Sequence, residues 1–165
     1  MNIRRKVFLI LTILWMILIF LFSARPAEVS SEDSRQAGLL IGEIFVPGFE
    51  DWTEEGRAAF AEKVDYPVRK TAHAAEYAVL GILVAGAYIE GEKKGGKHVG
   101  EKRGKEIFVP WIITTAYAAA DELHQLLVPG RSGQLSDAIL DSAGALAGLL
   151  VLGAVRFFVR RRREK

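Results

Sequence analysis

Acidic and histidine side chains interrupt the apolar segments of this 165-residue chain, and their types and spacing suit proton transfer or ion binding. Ionisable groups are costly inside a membrane, so several of them together predict a functional site. A histidine beside a carboxylate supplies a general base near neutral pH. On this ground, the candidate catalytic side chains are His73, Glu76, Asp121, His124 and Asp141.

A second group of polar side chains lies close to the first and predicts a ligand-binding surface. Three of its members are cations near the predicted outer ends of helices, where positive residues are usually avoided. They favour a site for a phosphate or carboxylate, and simple neutralisation of an acidic loop is the alternative. The candidate binding residues are Arg69, Lys70, Tyr77, Glu122, Gln125, Arg131 and Asp137.

The same carboxylates leave two other interpretations open. With one histidine they can bind a divalent metal, because carboxylates four residues apart, such as Asp137 and Asp141, share a helix face. A buried polar network that only fixes the register of the helices is the structural alternative. The chain has no cysteine, which excludes disulfides, thiol nucleophiles and cysteine-ligated zinc.

Four apolar blocks must position these groups. About 20 apolar residues cross the hydrocarbon of a bilayer, and the blocks predict spans at about 5–23, 68–90, 107–128 and 136–159. We therefore expect an all-α membrane protein, a four-transmembrane-helix bundle with one domain over residues 1–165. Gly144 and Gly148 have the spacing that lets membrane helices pack closely. The first block is interpreted as a retained anchor, because residues 22–26 make a poor signal-peptide cleavage site.

The basic residues predict the orientation of these spans. Lys and Arg cluster in the first six residues, in the segment 91–106 and from Arg156 to the C-terminus. Because positive residues stay on the cytoplasmic side, we expect both termini and the loop 91–106 to be cytoplasmic. The basic tail 160–163 directly follows a span, which favours contact with anionic lipid over binding of nucleic acid.

The segment 24–67 is predicted to be an outer loop that carries amphipathic helices at the membrane interface. Ser30 and Asp33 have the spacing of a capping box and predict the start of the first helix. A second short helix is predicted from Thr53. Pro67 suits the first turn of the second span, where a missing N–H costs little.

These motifs resemble the VanZ-like family. The matching pieces are Arg-Lys-Thr-Ala-His-Ala-Ala-Glu-Tyr at 69–77, Asp-Glu-Leu-His-Gln at 121–125, Pro-Gly-Arg at 129–131 and Asp137-x-x-x-Asp141-x-x-Gly144, and the likeness extends to Trp15 and Phe22-Ser23. Arg25 departs from the pattern, in which a glutamine is expected. The resemblance implies an integral membrane protein of the bacterial cell envelope, associated in some members with lower sensitivity to lipoglycopeptides such as teicoplanin. It supplies no reaction.

Together, these observations predict a multi-pass protein of the bacterial cytoplasmic membrane with a polar pocket on the extracytoplasmic side. The expected partners are membrane lipids, a lipid-linked cell-wall precursor or a lipoglycopeptide, and nucleic acid is not among them. A catalytic version is a hydrolase or transferase with His124 or His73 as the base. A non-catalytic version is a binding or scaffold protein. A transporter ranks last, because residues 79–89 and 146–155 lack a polar path.

Overall fold

The structure is a computed structural model that describes residues 1–92 and 102–163. Within these two ranges all regular elements are helical, which confirms the all-α prediction. Residues 93–101 of the predicted loop 91–106 lie outside the described residues. The elements are α1 (Ile3–Ser23), α2 (Ala27–Phe45), a short 3-10 helix (Phe49–Asp51), α3 (Glu54–Glu92), α4 (Lys102–Gln125) and α5 (Leu135–Arg163).

Three of the described helices are long and apolar enough to cross a membrane. They are α1, the Glu54–Glu90 part of α3 and the Leu135–Val159 part of α5. The 24 residues of α4 are long enough, but charged residues near both of its ends lower its hydropathy. A crossing by α4, and with it the four-helix membrane bundle and the cytoplasmic termini, therefore stays a prediction.

Helix α3 is continuous where the sequence predicts two helices. It runs for 39 residues with Pro67 in its interior. The predictions of a separate short helix from Thr53 and of a helix start at Pro67 were therefore wrong, and the span at about 68–90 stays a prediction. Proline is tolerated inside membrane helices because neighbouring groups satisfy the freed backbone carbonyl. At 1.5 Å per residue the helix is roughly 58 Å long, well beyond the ~30 Å of hydrocarbon.

Helix α2 packs against the first half of α3, and the two form a helical hairpin. Gly38 lies so close to α3 that a Cβ there would be 2.7 Å from Val64 Cγ2 and 3.4 Å from the Cα of Ala61. The helix begins at Ala27, three residues before Ser30. Ser30 therefore lies inside the first turn, and the predicted capping box was wrong.

Helix α3 is the centre of the bundle and contacts α1, α2, α4 and α5. The backbones of α3 and α5 approach most closely at Gly144 and Gly148, where a Cβ would collide with the carbonyl groups of Ala74 and Ala78. Small residues permit this approach, as their spacing predicts. The buried core beside it contains Ile19, Tyr77, Leu80, Val84, Ala118 and Ala145.

Candidate functional site

Four helices bring polar side chains together at one end of the bundle, which we call the polar end. There the end of α1, the middle of α3, the end of α4 and the start of α5 meet. An ion pair joins Lys70 of α3 to Asp137 of α5. The backbone N–H of Gln134, which precedes α5, donates to Glu122 Oε2 of α4 at 2.8 Å. These contacts connect the middle of α3 to the start of α5, and the start of α5 to the end of α4.

A cavity of about 130 Å³ opens at the polar end, and we call it the polar cavity. Tyr66, Gln134 and Ala27 line part of its wall, and sequence reasoning missed all three. Most of the predicted site residues converge on it from α3, α4, α5 and the turn between the last two. They are Arg69, Lys70, His73, Glu122, Gln125, Arg131, Asp137 and Asp141.

A second cavity of about 240 Å³ lies between α2, α3 and the end of α1, and we call it the hairpin cavity. Arg69, His73 and Arg131 line both cavities, so the two adjoin. Among the predicted residues, Glu76 is the one that lines the hairpin cavity but not the polar cavity. Helix α2 contributes four residues that were not among the predicted site residues, because only the tertiary pairing of α2 with α3 brings them to the cavity. They are Ser30, Asp33, Ser34 and Ala37.

The cations of α3 are held in place by partners on either side. Lys70 pairs with Asp137, and its Nζ lies 5.1 Å from the centre of the Tyr66 ring. The Arg69 guanidinium donates to Ser31 Oγ at 2.7 Å and lies 3.3 Å from Asp65 Oδ2. Arginine carries five N–H donors, so Arg69 retains donors beyond these two contacts.

The guanidinium of Arg131 ties the end of α1 to the end of α4. Its Nε donates to the Arg25 carbonyl at 3.0 Å, Nη2 to the Phe22 carbonyl at 3.3 Å and Nη1 to Gln125 Oε1 at 3.3 Å. Burial lowers the pKa of Arg131, although arginine stays protonated at all ordinary pH values.

Arg25, the departure from the family pattern, pairs with Asp33 and lines the hairpin cavity.

Gln125 extends this network to the acidic groups of α4. Its Nε2 donates to Asp121 Oδ2 at 3.3 Å and to Glu122 Oε1 at 3.2 Å. Glu122 is held between this bond and the amide of Gln134. Asp121 is 4% exposed and, like the fully buried Tyr77, lines neither cavity. These two predicted residues are therefore buried behind the cavity walls and do not form part of either wall.

The two candidate histidine bases have different surroundings. His73 lines both cavities, and its Nδ1 lies 3.6 Å from Glu76 Oε2, just beyond hydrogen-bond range. His124 lines neither cavity, and its ring packs on Phe20 with 4.6 Å between the ring centres. The geometry favours His73 over His124 for contact with a ligand.

Three carboxylates of the site have a cation or an amide as partner: Asp137 pairs with Lys70, and Asp121 and Glu122 accept from Gln125. Across residues 1–92 and 102–163, no group of three or more His, Asp or Glu side chains has an arrangement that could hold a metal ion. The metal interpretation of these carboxylates therefore gains no support from the described part of the chain.

Comparison with known proteins identifies the family of this chain. The family model described as VanZ/LLP1 matches residues 8–156, which run from α1 to α5 and include all twelve candidate residues. Neither a curated protein nor a solved structure matches the chain significantly. The family match covers most of the sequence, and three of the helices can cross a bilayer. The chain is therefore a membrane protein that belongs to the VanZ/LLP1 family.

Proposed function

We propose that this protein binds the anionic headgroup of a membrane lipid or of a lipid-linked cell-wall precursor. In this proposal the polar end faces outward from the bacterial cytoplasmic membrane. The observation that carries the proposal is the pair of adjoining cavities that share Arg69, His73 and Arg131. Guanidinium groups recognise phosphate through paired N–H donors, and Lys70 adds a compact positive charge at the same opening.

The size of the polar cavity indicates which part of a ligand enters it. At about 130 Å³ it has room for a few groups of water size, each of which occupies ~30 Å³ in the liquid. A phosphate group fits this space, whereas a complete lipid does not. The remainder of the ligand must lie outside the cavity.

Helix α2 offers an apolar surface for that remainder. Ala37 lines the hairpin cavity, and Leu40, Ile41 and Ile44 follow it on the same face of the helix. Leu40 is 59% exposed and Ile44 is 71% exposed. A charged cavity beside an exposed apolar stripe suits a molecule with an anionic head and a hydrocarbon tail.

Native mass spectrometry of the purified protein tests this proposal. We expect a polyprenyl pyrophosphate or phosphatidylglycerol to bind more tightly than phosphatidylcholine. Arg69→Gln should weaken that binding by roughly tenfold, since a hydrogen bond to a charged group contributes about 1.5 kcal/mol or more. Arg161→Gln is the control, because it removes an exposed cation from the C-terminal part of α5. Equal binding by wild type and Arg69→Gln would contradict the proposal.

A double variant separates ligand binding from a purely structural role of the network. Lys70→Met alone leaves Asp137 unpaired and should destabilise the fold, whereas Lys70→Met with Asp137→Leu should restore stability. If the charges serve a ligand, the double variant stays stable and loses anionic-lipid binding. If they serve only the fold, the double variant recovers both properties.

A catalytic role is a second candidate, and the position of His73 favours it. Its imidazole lines both cavities beside Glu76, so it can accept the proton of a water molecule that attacks a bound phosphoryl group. The attack breaks the bond to the leaving phosphate or alcohol oxygen. His73→Gln should then abolish phosphate release from a polyprenyl pyrophosphate without loss of binding. If the wild-type protein forms no product, the catalytic role is refuted and the binding role is the one that stands.

Reduced sensitivity to lipoglycopeptides is a proposed consequence of headgroup binding. These antibiotics carry a lipid tail, so a protein that covers or alters anionic lipid at the outer surface lowers their capture by the membrane. Cells that express the protein should need more teicoplanin for growth inhibition than cells with Arg69→Gln. Equal inhibition of the two strains would show that this protein does not lower teicoplanin sensitivity, and it would not affect the binding proposal.

A further inference from the structure

At the other end of the bundle, an apolar crevice runs along the outside of α3, between α1 and α4. Its volume is about 260 Å³. The floor is formed by Leu80, Val84 and Ala87 of α3, all less than 9% exposed. Ile113 on the α4 wall is 48% exposed, so the crevice opens sideways toward the surroundings of the bundle. It shares no residue with the polar or hairpin cavity.

The polar groups inside this crevice are mostly satisfied by their own helices. Thr12 Oγ1 donates to the Phe8 carbonyl at 2.8 Å, and Thr114 Oγ1 donates to the Pro110 carbonyl at 2.9 Å. The Tyr117 hydroxyl donates to the Met16 carbonyl at 2.7 Å and closes the end nearer the polar cavity. The wall between these bonds is therefore effectively apolar.

Arg5 marks the opposite end of the crevice. Its side chain lines the opening, and its Nε is buried with no hydrogen-bond partner among residues 1–92 and 102–163. The neighbouring cations Arg4 and Lys6 are exposed and do not line the crevice. A buried N–H of a guanidinium group favours an anionic acceptor. In a membrane, the lipid phosphate is the anionic acceptor that lies next to the hydrocarbon.

The length of the crevice matches one leaflet of a bilayer. From Arg5 to Met16 the α1 wall rises through eleven residues, roughly 16 Å at 1.5 Å per residue. Half of a ~30 Å hydrocarbon core is about 15 Å. An acyl chain that starts at a phosphate beside Arg5 therefore reaches the middle of the membrane within the crevice.

We infer that this crevice binds one acyl chain of an anionic phospholipid, with the lipid phosphate on Arg5. The lipid belongs to the leaflet on the Arg5 side, opposite the polar end. This site uses residues distinct from those of the proposed headgroup site, and either site can exist without the other.

Native mass spectrometry of the full-length protein with phosphatidylglycerol or phosphatidylcholine tests the inference. We expect one phosphatidylglycerol to persist on the wild type, and Arg5→Ala to weaken its binding about fivefold, the effect of ~1 kcal/mol per cation at a membrane surface. Arg4→Ala, which removes the same charge one residue away, should have little effect. Equal losses in the two variants, or equal retention of phosphatidylcholine, would overturn the inference.

A second pair of variants tests the crevice itself. Ile113→Trp places a large ring in the opening and should release the lipid. Ile112→Trp places the same ring at an equally exposed position outside the crevice and should not. Both sites are 48% exposed, so neither change disturbs the buried core. Retention of the lipid by Ile113→Trp would place it elsewhere on the protein and refute the site.

Discussion

Replacement of Gly144 by alanine tests whether the close approach of α3 and α5 sets the geometry of the polar cavity. An added Cβ would collide with the Ala74 carbonyl oxygen and lie 2.9 Å from the Ala74 C and Cα atoms. Because these are backbone atoms, no rotamer change can relieve the contact and the helices must separate. An extra methyl group forced into a packed interface costs about 1–3 kcal/mol.

Gly153 of the same helix provides the matched control. A Cβ there meets nothing within 4 Å in the described part of the structure. Alanine is a better helix former than glycine by roughly 0.5–1 kcal/mol, so Gly153→Ala should be neutral or slightly stabilising. Both substitutions gain this helix propensity, so the clash at Gly144 alone makes them differ, by about 1–3 kcal/mol, although both add the same single methyl group.

Thermal unfolding of the two variants in the same detergent measures this difference. Gly144→Ala should also weaken binding of an anionic lipid at the polar end, because Asp141 and Asp137 lie on the preceding turns of α5 and His73 precedes Ala74 on α3. Separation of these helices widens the cavity and stretches the Lys70–Asp137 pair. If Gly144→Ala proves as stable as Gly153→Ala and binds lipid normally, the packing argument is refuted.

Three other changes test the network around the cavities. Arg131→Lys keeps the charge but loses the fork that spans several acceptors, and it should lower stability by about 1–2 kcal/mol in thermal unfolding; an unchanged midpoint would contradict that role. Glu122→Ala removes the acceptor of the Gln134 backbone N–H. It should speed hydrogen exchange of that N–H and lower the stability of the protein by about 0.5–2 kcal/mol. Glu122→Gln retains an acceptor and should have neither effect. Ser34→Ala removes a hydroxyl donor from Asp65 and should destabilise the hairpin by about 1 kcal/mol, seen as faster exchange in α2; equal exchange rates would show that the bond contributes nothing.

The convergence of the candidate residues could be predicted from the sequence more directly than the helix boundaries could. Asp137, Asp141 and Gly144 repeat at helical spacing, so their common face follows from the pitch of one helix, and most candidates do meet at one cavity. The separation of His73 from His124 could not be predicted in the same way. His124 packs on Phe20 of α1 instead of lining a cavity, and a contact between α1 and α4 has no signal in either helix alone.

The errors in the segment 24–67 have a common physical cause. The rules that make Pro67 a helix start and Ser30 a cap consider only the residues next to a helix end. In the structure, α2 and the first half of α3 support each other through tertiary contacts such as that of Gly38 with Val64. Local propensity is a weak guide where packing between distant segments determines the helix ends. That pairing also brings Asp33 to the hairpin cavity.

Cations lie at both ends of this bundle, and at each end they border an opening that has an apolar surface beside it. At the polar end Arg69 and Arg131 border cavities that continue into the apolar stripe of α2, and at the other end Arg5 borders a crevice with an apolar wall. A cation needed only to orient the protein in the membrane can remain in water, as Arg4 and Lys6 do. Partial burial of Arg5 costs solvation, its Nε has no hydrogen-bond partner in the described part of the chain, and an anionic group beside it offsets that cost. The shared arrangement therefore favours amphiphilic ligands at both ends over a function of charge in topology alone.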